Sequence, residues 1–278
     1  MVKPSNIIKR TNQFTHPWTK EEIDFVVKNI KLMNYGQMSK TISRSPSSIQ
    51  SKVRFLEVER KVNKHALNQD FFKNWSNPMA YVLGFIAADG NICKTGNSHM
   101  IQIACDDIDV IQKIKAALSL GSPIHERKRQ NTKISYQIRF SDKKTYNYLL
   151  KLGITPRKSL TLQPPKDIPN KYLHHYIRGF FDGDGSVWES NRGGNKRLVS
   201  VFYTASIRMA KFLYKEVKKT CSKFTGRIQE IPTPNKDRLY YSIALGHRDS
   251  LLLSKYLYEK ATIFLERKYR LFNRKYAN

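Results

Sequence analysis

The chain has 278 residues, 40% hydrophobic and 12% aromatic, enough for two or three domains with packed cores. It carries 50 Lys and Arg against 22 Asp and Glu, a formal net charge of +28, which points to nucleic acid as first partner and an anionic membrane second. No apolar run approaches the roughly 18–20 residues of a membrane span, the start lacks a signal-peptide core, and three cysteines (Cys93, Cys105, Cys221) without a CxxC pair argue against a disulfide framework or cysteine zinc site.

Residues 1–15 read as a flexible basic arm with Lys3, Lys9 and Arg10. Residues 16–57 read as three short helices. Thr19 and Glu22 fit a capping box, and Ile23, Val26, Val27 and Ile30 give the first helix an apolar face. Tyr35-Gly36 is a break, and the second helix carries Met38 and Ile42. Ser45-Pro46 opens the third, with Ile49, Val53 and Leu56 inward and Gln50, Lys52 and Arg54 on its polar face. Residues 1–76 hold 14 Lys and Arg against 6 Asp and Glu. Three helices with a basic third one resemble a Myb-like helix-turn-helix module, whose last helix enters the major groove of DNA. A small helical packing domain with a solvated basic face is the plainer alternative. Residues 58–75 read as a linker.

Two stretches then repeat one pattern. Val82-Leu83-Gly84-Phe85-Ile86-Ala87-Ala88-Asp89-Gly90 and Ile177-Arg178-Gly179-Phe180-Phe181-Asp182-Gly183-Asp184-Gly185 both read apolar-x-Gly-aromatic-apolar-x-small-Asp-Gly. Their final acids lie 95 residues apart (184 − 89), so the repeat unit is a small domain. Each stretch ends a helix that is apolar nearly all round and therefore belongs in a core. Asn77 is the expected N-cap of the first, with Pro78 at its first turn. Gly84 and Gly179 cost roughly 1 kcal/mol each in a helix interior, which close approach of the two backbones would offset. Gly90 and Gly185 suit a left-handed residue after a helix. Asp89 and Asp184 face the negative helix end and each other, a conflict that a divalent cation resolves. Asp182 matches Ala87, is not duplicated, and reads as a local cap or a solvated residue.

Between and after these helices the pattern turns to strands. Lys133–Phe140 alternates with period two: Ile134, Tyr136, Ile138 and Phe140 on one face, Lys133, Ser135, Gln137 and Arg139 on the other. Ser98–Cys105 alternates likewise, with Ile101, Ile103 and Cys105 inward and Gln102 outward. A third candidate, Ile124–Arg129, includes Arg127 and Arg129. Helices fall at Ile108–Leu118 and Thr145–Leu152. Residues 153–170, with four prolines, read as an interdomain linker. In the second half the strands are Val199–Ala205, Arg227–Ile231 and Arg238–Leu245, the helices Met209–Thr220 and Arg248–Leu257. Trp188–Arg197 reads as a loop.

The paired stretches resemble the double motif of LAGLIDADG homing endonucleases in their single-chain form, over roughly residues 76–275. The resemblance implies an α+β fold: two pseudo-symmetric αββαββα halves, residues 76–152 and 171–278, forming a saddle of two antiparallel sheets, with the three-helix domain in front. It implies that Asp89 and Asp184 hold catalytic metals, with carbonyls of Ala88 and Gly183. It also implies that Lys158 and Lys268 lie near the scissile phosphate. The expected cofactor is Mg²⁺, two or three divalent ions, one of them able to be shared. The family's glutamine near the end of the second strand has no match here, where Cys105-Asp106 and Ala205-Ser206 stand.

The expected function is a site-specific homing endonuclease that makes a metal-dependent double-strand break in a long asymmetric DNA target. The expected partner is duplex DNA, bound by a monomer, with no membrane partner. The candidate readers are Gln50, Lys52, Arg54, Gln102, Arg127, Arg129, Lys133, Gln137, Arg139, Arg197, Arg227, Gln229, Arg238 and Tyr240. The alternatives are a maturase that binds its own intron RNA on the same fold and a catalytically silent DNA-binding regulator. The expected place is the cytoplasm of a phage or bacterial host, or an organelle matrix, without secretion.

Overall fold

The structure, a computed structural model, describes residues 17–30, 35–56, 66–128, 134–192, 194–233 and 239–274. The chain divides into two compact units, Met1–Asn63 and Lys64–Asn278. In the first unit, α1 (Lys20–Asn29), α2 (Tyr35–Ile42) and α3 (Pro46–Phe55) pack around Val26, Ile30, Met38, Ile49 and Val53. The capping box forms: Thr19 Oγ1 accepts from the Glu22 N–H, and Glu22 Oε2 accepts from the Thr19 N–H. Ser45 caps α3 by accepting from the Ser48 N–H. Val27, expected inward, is exposed, because Val26 and Ile30 already fill the narrow contact stripe. Tyr35-Gly36, expected as a break, forms the first turn of α2.

The second unit has two halves of identical order. The first runs α4 (Asn77–Asp89), β1 (Gly90–Thr95), β2 (Ser98–Cys105), α5 (Ile108–Ala117), β3 (His125–Arg127), β4 (Ser135–Ser141) and α6 (Lys143–Lys151). The second runs α7 (Asn170–Asp184), β5 (Ser186–Arg192), β6 (Asn195–Thr204), α8 (Ile207–Thr220), β7 (Ile228–Pro232), β8 (Leu239–Leu245) and α9 (His247–Tyr258). A final helix, α10 (Glu266–Phe272), follows. The sheets are antiparallel with orders β1-β2-β4-β3 and β5-β6-β8-β7. This is the expected α+β architecture of two αββαββα halves.

The α4–α7 pair is the core of the unit. Residues Met79 to Ala87 of α4 and His175 to Asp182 of α7 are all buried. A Cβ added at Gly84 would lie 2.0 Å from the Tyr176 carbonyl oxygen, and one at Gly179 would lie 2.0 Å from that of Tyr81. The glycines are therefore reciprocal contact points, each taking the backbone of the other helix. Phe85, Phe180 and Phe181, all fully buried around this crossing, each contribute on the order of 2–3 kcal/mol by burial.

Several local expectations are corrected. Ser76, not Asn77, caps α4, accepting from the Met79 N–H at 3.2 Å. Gly90 and Gly185 are extended, not left-handed (φ −78° and −81°). Their need for glycine is spatial: a Cβ would lie 2.7 Å from Ile86 Cα and 2.4 Å from the Phe181 ring, because each helix runs straight into a strand. Trp188–Arg197 is not a loop but belongs to the β5–β6 hairpin, with Trp188 opposite Val199. The polar run of β5 hides a strand that pairing with β6 creates. Ile134, expected inward, is exposed just before β4 begins. Helix α10 has no counterpart among the expected elements. Lys133, Arg129 and Arg238 lie outside the described residues.

The stretch 66–75 expected as linker packs onto the first half. Phe72 is buried, the Asn68 N–H donates to Leu118 O, the Gly121 N–H to Ala66 O, and Gln69 Nε2 to Asp142 Oδ2 at 2.6 Å. The stretch after α6 carries a single 3-10 turn at Lys158–Leu160, with Ile154 and Leu162 buried beside it.

Gly84→Ala or Gly179→Ala is expected to destabilise the second unit by about 3 kcal/mol or more, since backbone blocks the new methyl and overpacking of this kind costs 1–3 kcal/mol where side chains can yield. Urea unfolding of each variant checks this; a loss under about 1 kcal/mol, the ordinary scale of a point substitution, contradicts the contact.

Candidate functional site

The α4–α7 pair delivers two carboxylates to one place. A Cβ at Gly183 would lie 2.5 Å from Ala88 Cβ and 3.2 Å from Asp89 Oδ2. The Asp89 carboxylate therefore rests against the end of α7, and glycine at 183 makes room for Ala88 of the other helix. Asp184 is one residue further along the same helix end. Burial, then the Asp89 charge, pushes the Asp184 carboxyl up to about 7, while Lys158 and Lys268 pull the other way. Asp89 is exposed at its tip, yet the surrounding protein raises its pKa too, opposed by Lys268 and then Lys158. Each carboxylate thus feels more strongly the lysine of the other half.

Both lysines are buried, 6% and 2% exposed. Lys158 Nζ donates to Ala88 O at 3.3 Å and Gly90 O at 2.5 Å. Lys268 Nζ donates to the carbonyls of Phe181, Asp182 and Gly185 at 2.6, 2.7 and 2.5 Å. Each ammonium therefore caps the carbonyl end of the helix in its own half, where a cation is favoured. Burial lowers the Lys268 pKa to about 8, which keeps it charged at neutrality. The resemblance places these two lysines near the scissile phosphate; in the structure their ammonium groups are buried on helix-end carbonyls.

A cavity of about 310 Å³ opens beside Asp89, lined by Cys105, Asp106, Asp107, Gly183 and Arg267 among others. It draws on both halves. Arg267, on α10, holds Asp107 Oδ2 at 3.1 Å. Asp106 is exposed at its rim and its charge raises the Asp89 pKa. The matching residue pair in the second half is different: Ala205 carries no charge, and Ser206 Oγ is buried, donating to Leu162 O at 2.6 Å.

Asp182 is not solvated. It is 2% exposed and accepts from Tyr258 Oη at 2.6 Å, Tyr81 Oη at 2.8 Å and the Leu265 N–H at 2.9 Å. These three donors come from α4, α9 and the start of α10, so Asp182 ties the segments together. Nearby, Arg178 is fully buried on the carbonyls of Leu257 and Ile263 and on His175 Nδ1. Burial, then the Arg178 charge, holds His175 down to about 3, so His175 is neutral and structural. Cys93, Cys105 and Cys221 are free thiols, and burial first of all raises Cys105 and Cys221 to about 11.

The donor set fits a hard divalent cation. Asp89 and Asp184 lie close enough for the Asp89 charge to raise the Asp184 pKa, a conflict that a cation would relieve, and Mg²⁺ is a cation that takes few carboxylates and completes its shell with waters and phosphate oxygens. Among the described residues no group of three His, Cys, Asp or Glu that could hold a metal ion gathers.

The candidate readers sort onto faces. In the first sheet, Gln102 pairs with Arg139, Ala104 with Gln137, and Arg127 with Ser135, so Gln102, Arg127, Gln137 and Arg139 share one face. Ile101, Ile103 and Ile138 fill the other, in the core. Gln137 is 5% exposed, its Oε1 held by Gln102 Nε2 at 3.0 Å, so it supports Gln102 instead of projecting alone. In the second sheet Gln229 pairs with Ser242, Tyr240 with Ile231 and Arg197 with Ser190. Gln229, Tyr240 and Arg197 lie on one exposed face, and Arg227 is exposed just before β7. On α3, Gln50 and Arg54 are exposed, whereas Lys52 Nζ sits over the rings of Phe55 and Trp18 at 5.1 and 5.8 Å. Asp106, Arg267 and Tyr258 escaped sequence reasoning. Asp106 stands at the departure from the family's glutamine, which was its one signal.

No family model matches the chain. It is 29% identical over 126 residues to one uncharacterized protein of Methanocaldococcus jannaschii, covering 43% of this chain and 45% of that one. It is 27% identical over 183 residues to a second uncharacterized protein of that organism, covering 57% and 61%. The chain thus spans about half the length of the curated relatives it matches. Similar solved structures include the homing endonuclease I-WcaI bound to its DNA recognition sequence (20% identity, TM-score 0.46, 73% of this chain and 90% of that one). Another is the LAGLIDADG homing endonuclease I-GzeII in complex with a DNA target (13% identity, TM-score 0.47, 71% and 88%). Among the described residues no helix is long and apolar enough to cross a membrane.

A raised carboxyl pKa means that the folded chain binds the proton more tightly than the unfolded one. Asp184 therefore burdens the metal-free fold increasingly as pH rises from its unfolded value near 4 to its folded value of about 7, and fully above that. Asp184→Asn is expected to melt higher than the parent at pH 8 and alike at pH 4. Mg²⁺ is expected to raise the melting temperature of the parent at pH 8 and not that of the variant. Calorimetry in EDTA and in Mg²⁺ checks both.

Proposed function

We propose that this chain is a site-specific, metal-dependent DNA endonuclease that cuts both strands of a long duplex site as a monomer. The observation that carries the reading is the meeting of Asp89 and Asp184 at the apposed ends of two matched helices, in a unit whose two sheets each carry a polar, basic face. A divalent ion bound there would supply charge neutralisation at the nonbridging and leaving oxygens of the phosphodiester. The carboxylates hold it, with the Ala88 and Gly183 carbonyls beside them. Lys158 and Lys268 cap the two helix ends and would add positive potential near the scissile phosphate. Arg267 lies at the rim of the Asp89 cavity, where a phosphate oxygen would approach.

The exposed residues Gln102, Arg127 and Arg139 on one sheet and Arg197, Arg227, Gln229 and Tyr240 on the other would contact the duplex, since strands reach base edges in the major groove. Gln50 and Arg54, exposed on α3, would add a second contact of the helix-turn-helix kind. Two unequal halves suit an asymmetric target, as does the single-chain form.

A duplex library incubated with the protein and Mg²⁺, then sequenced at its ends, is expected to yield discrete ends at one long site that vanish in EDTA. Asp89→Asn and Asp184→Asn should each abolish cutting while retaining duplex binding in a gel-shift assay. Normal cutting by either variant refutes the site. Absence of ends with tighter binding to a structured intron RNA would transfer the fold to splicing. Arg54→Ala is expected to weaken duplex binding and lower the salt slope of log Kd by about 1 if Arg54 meets a phosphate.

A further inference from the structure

The two halves differ most in what lies behind their lysines. In the second half Asp182 accepts three hydrogen bonds, and two of the donors, Tyr258 Oη and the Leu265 N–H, belong to the segment that leads into α10. Leu265 is the N-cap of α10. One turn earlier on α7, Arg178 holds the Leu257 and Ile263 carbonyls of the same segment at 2.8 and 3.0 Å. From the first half, Lys113 Nζ reaches Phe264 O at 3.1 Å and Glu266 Oε1 at 2.9 Å. Helix α10 in turn carries Lys268, on three carbonyls, and Arg267, at the Asp89 cavity.

Among the described residues the first half shows no carboxylate-centred brace of this kind; the segment after its lysine is held at Leu162 O by Ser206 Oγ. Leu83 stands where α7 has Arg178, and Ala87 where it has Asp182. Tyr81 spans the helix pair to Asp182, but Tyr176 at the matching place in α7 has a buried hydroxyl without a hydrogen-bond partner among the described residues. Lys158 stands on an isolated 3-10 turn and caps two carbonyls instead of three. One lysine is thus mounted on a braced helix, the other on a turn.

We propose that Asp182 is a positioning residue for the Asp89 cavity, bracing α10 so that Arg267 and Lys268 stand beside Asp89, and that the two half-sites are therefore unequal in how they cut their strands. The proposal rests on the endonuclease reading for its strand consequence, though not for the bracing itself. Loss of the brace takes Arg267 from the Asp89 cavity and loosens Lys268 from the α7 carbonyls that flank Asp184, while Lys158 and the α4 carbonyls that it caps stay in place, so the two strands are affected unequally. A misplacement of about 1 Å in a catalytic constellation lowers rate on the order of 100-fold. A general loss of folding would slow both strands alike, so the ratio of the two nicking rates separates positioning from bulk stability.

Asp182→Asn and Tyr258→Phe are made in the full chain. The first replaces one carboxylate oxygen by a donor that opposes the Leu265 N–H or a tyrosine hydroxyl. The second removes a single hydroxyl and is the milder change if the first fails to fold. Two measurements are made: amide hydrogen exchange without DNA, and nicking of each end-labelled strand of the duplex recovered from the Mg²⁺ library. Expected are faster exchange confined to residues 265–272, and one strand slowed roughly 10- to 100-fold relative to the other, with Tyr258→Phe in the same direction and smaller. Equal slowing of both strands, or unchanged exchange in α10 for both variants, overturns the proposal. If the parent protein cuts no duplex, the endonuclease reading falls by itself, and the exchange result still decides whether Asp182 braces α10.

Discussion

The close crossing of α4 and α7 governs the rest of this structure. Each of Gly84 and Gly179 receives a carbonyl of the other helix at a distance no side chain tolerates. That contact sets the separation of the helices, and the separation sets where their ends fall. Both helices lead directly into first strands through Gly90 and Gly185, so the two sheets are hung from the same pair. One backbone contact thereby fixes the core, the relation of the halves and the meeting of Asp89 with Asp184.

A helix pair of this kind produces an electrostatic problem at its ends. Two sets of carbonyl ends and two carboxylates lie together, all negative. The protein answers from below with buried Lys158 and Lys268, each bonded to the carbonyls of its own helix end. Burial first of all raises the pKa of both acids, with the Asp89 charge adding to it at Asp184 and the Asp106 charge at Asp89. The proposed divalent cation would relieve the repulsion between the two acids, and the net charge of +28 suits a polyanionic partner.

The pseudo-symmetry is one of backbone more than of chemistry. Strand orders, helix orders and the capped lysines match between halves. The polar networks do not: Arg178, Asp182 and Tyr258 exist on one side only, and Asp106 with Arg267 on the Asp89 cavity faces Ala205 and Ser206 in the matching place. A duplicated scaffold holds its shape through the positions that stay alike, and the others are free to diverge.

The sequence by itself determined the repeat, the two core helices, the role of their glycines, the paired acids, the alternation of β2 and β4, and the capping box of α1. These rest on short-range pattern, on the periods of helix and strand, and on the few residue types that tolerate a given place. Tertiary structure alone decided that β5 is a strand, since its polar run becomes one only by pairing with β6. It alone decided that Asp182 is buried, since its donors come from Tyr81, Tyr258 and Leu265, 76 or more residues away. It alone turned Lys158 and Lys268 inward, because the carbonyls they cap lie 68 to 87 residues away along the chain. A charge can be counted in a sequence, but its partner is chosen by packing.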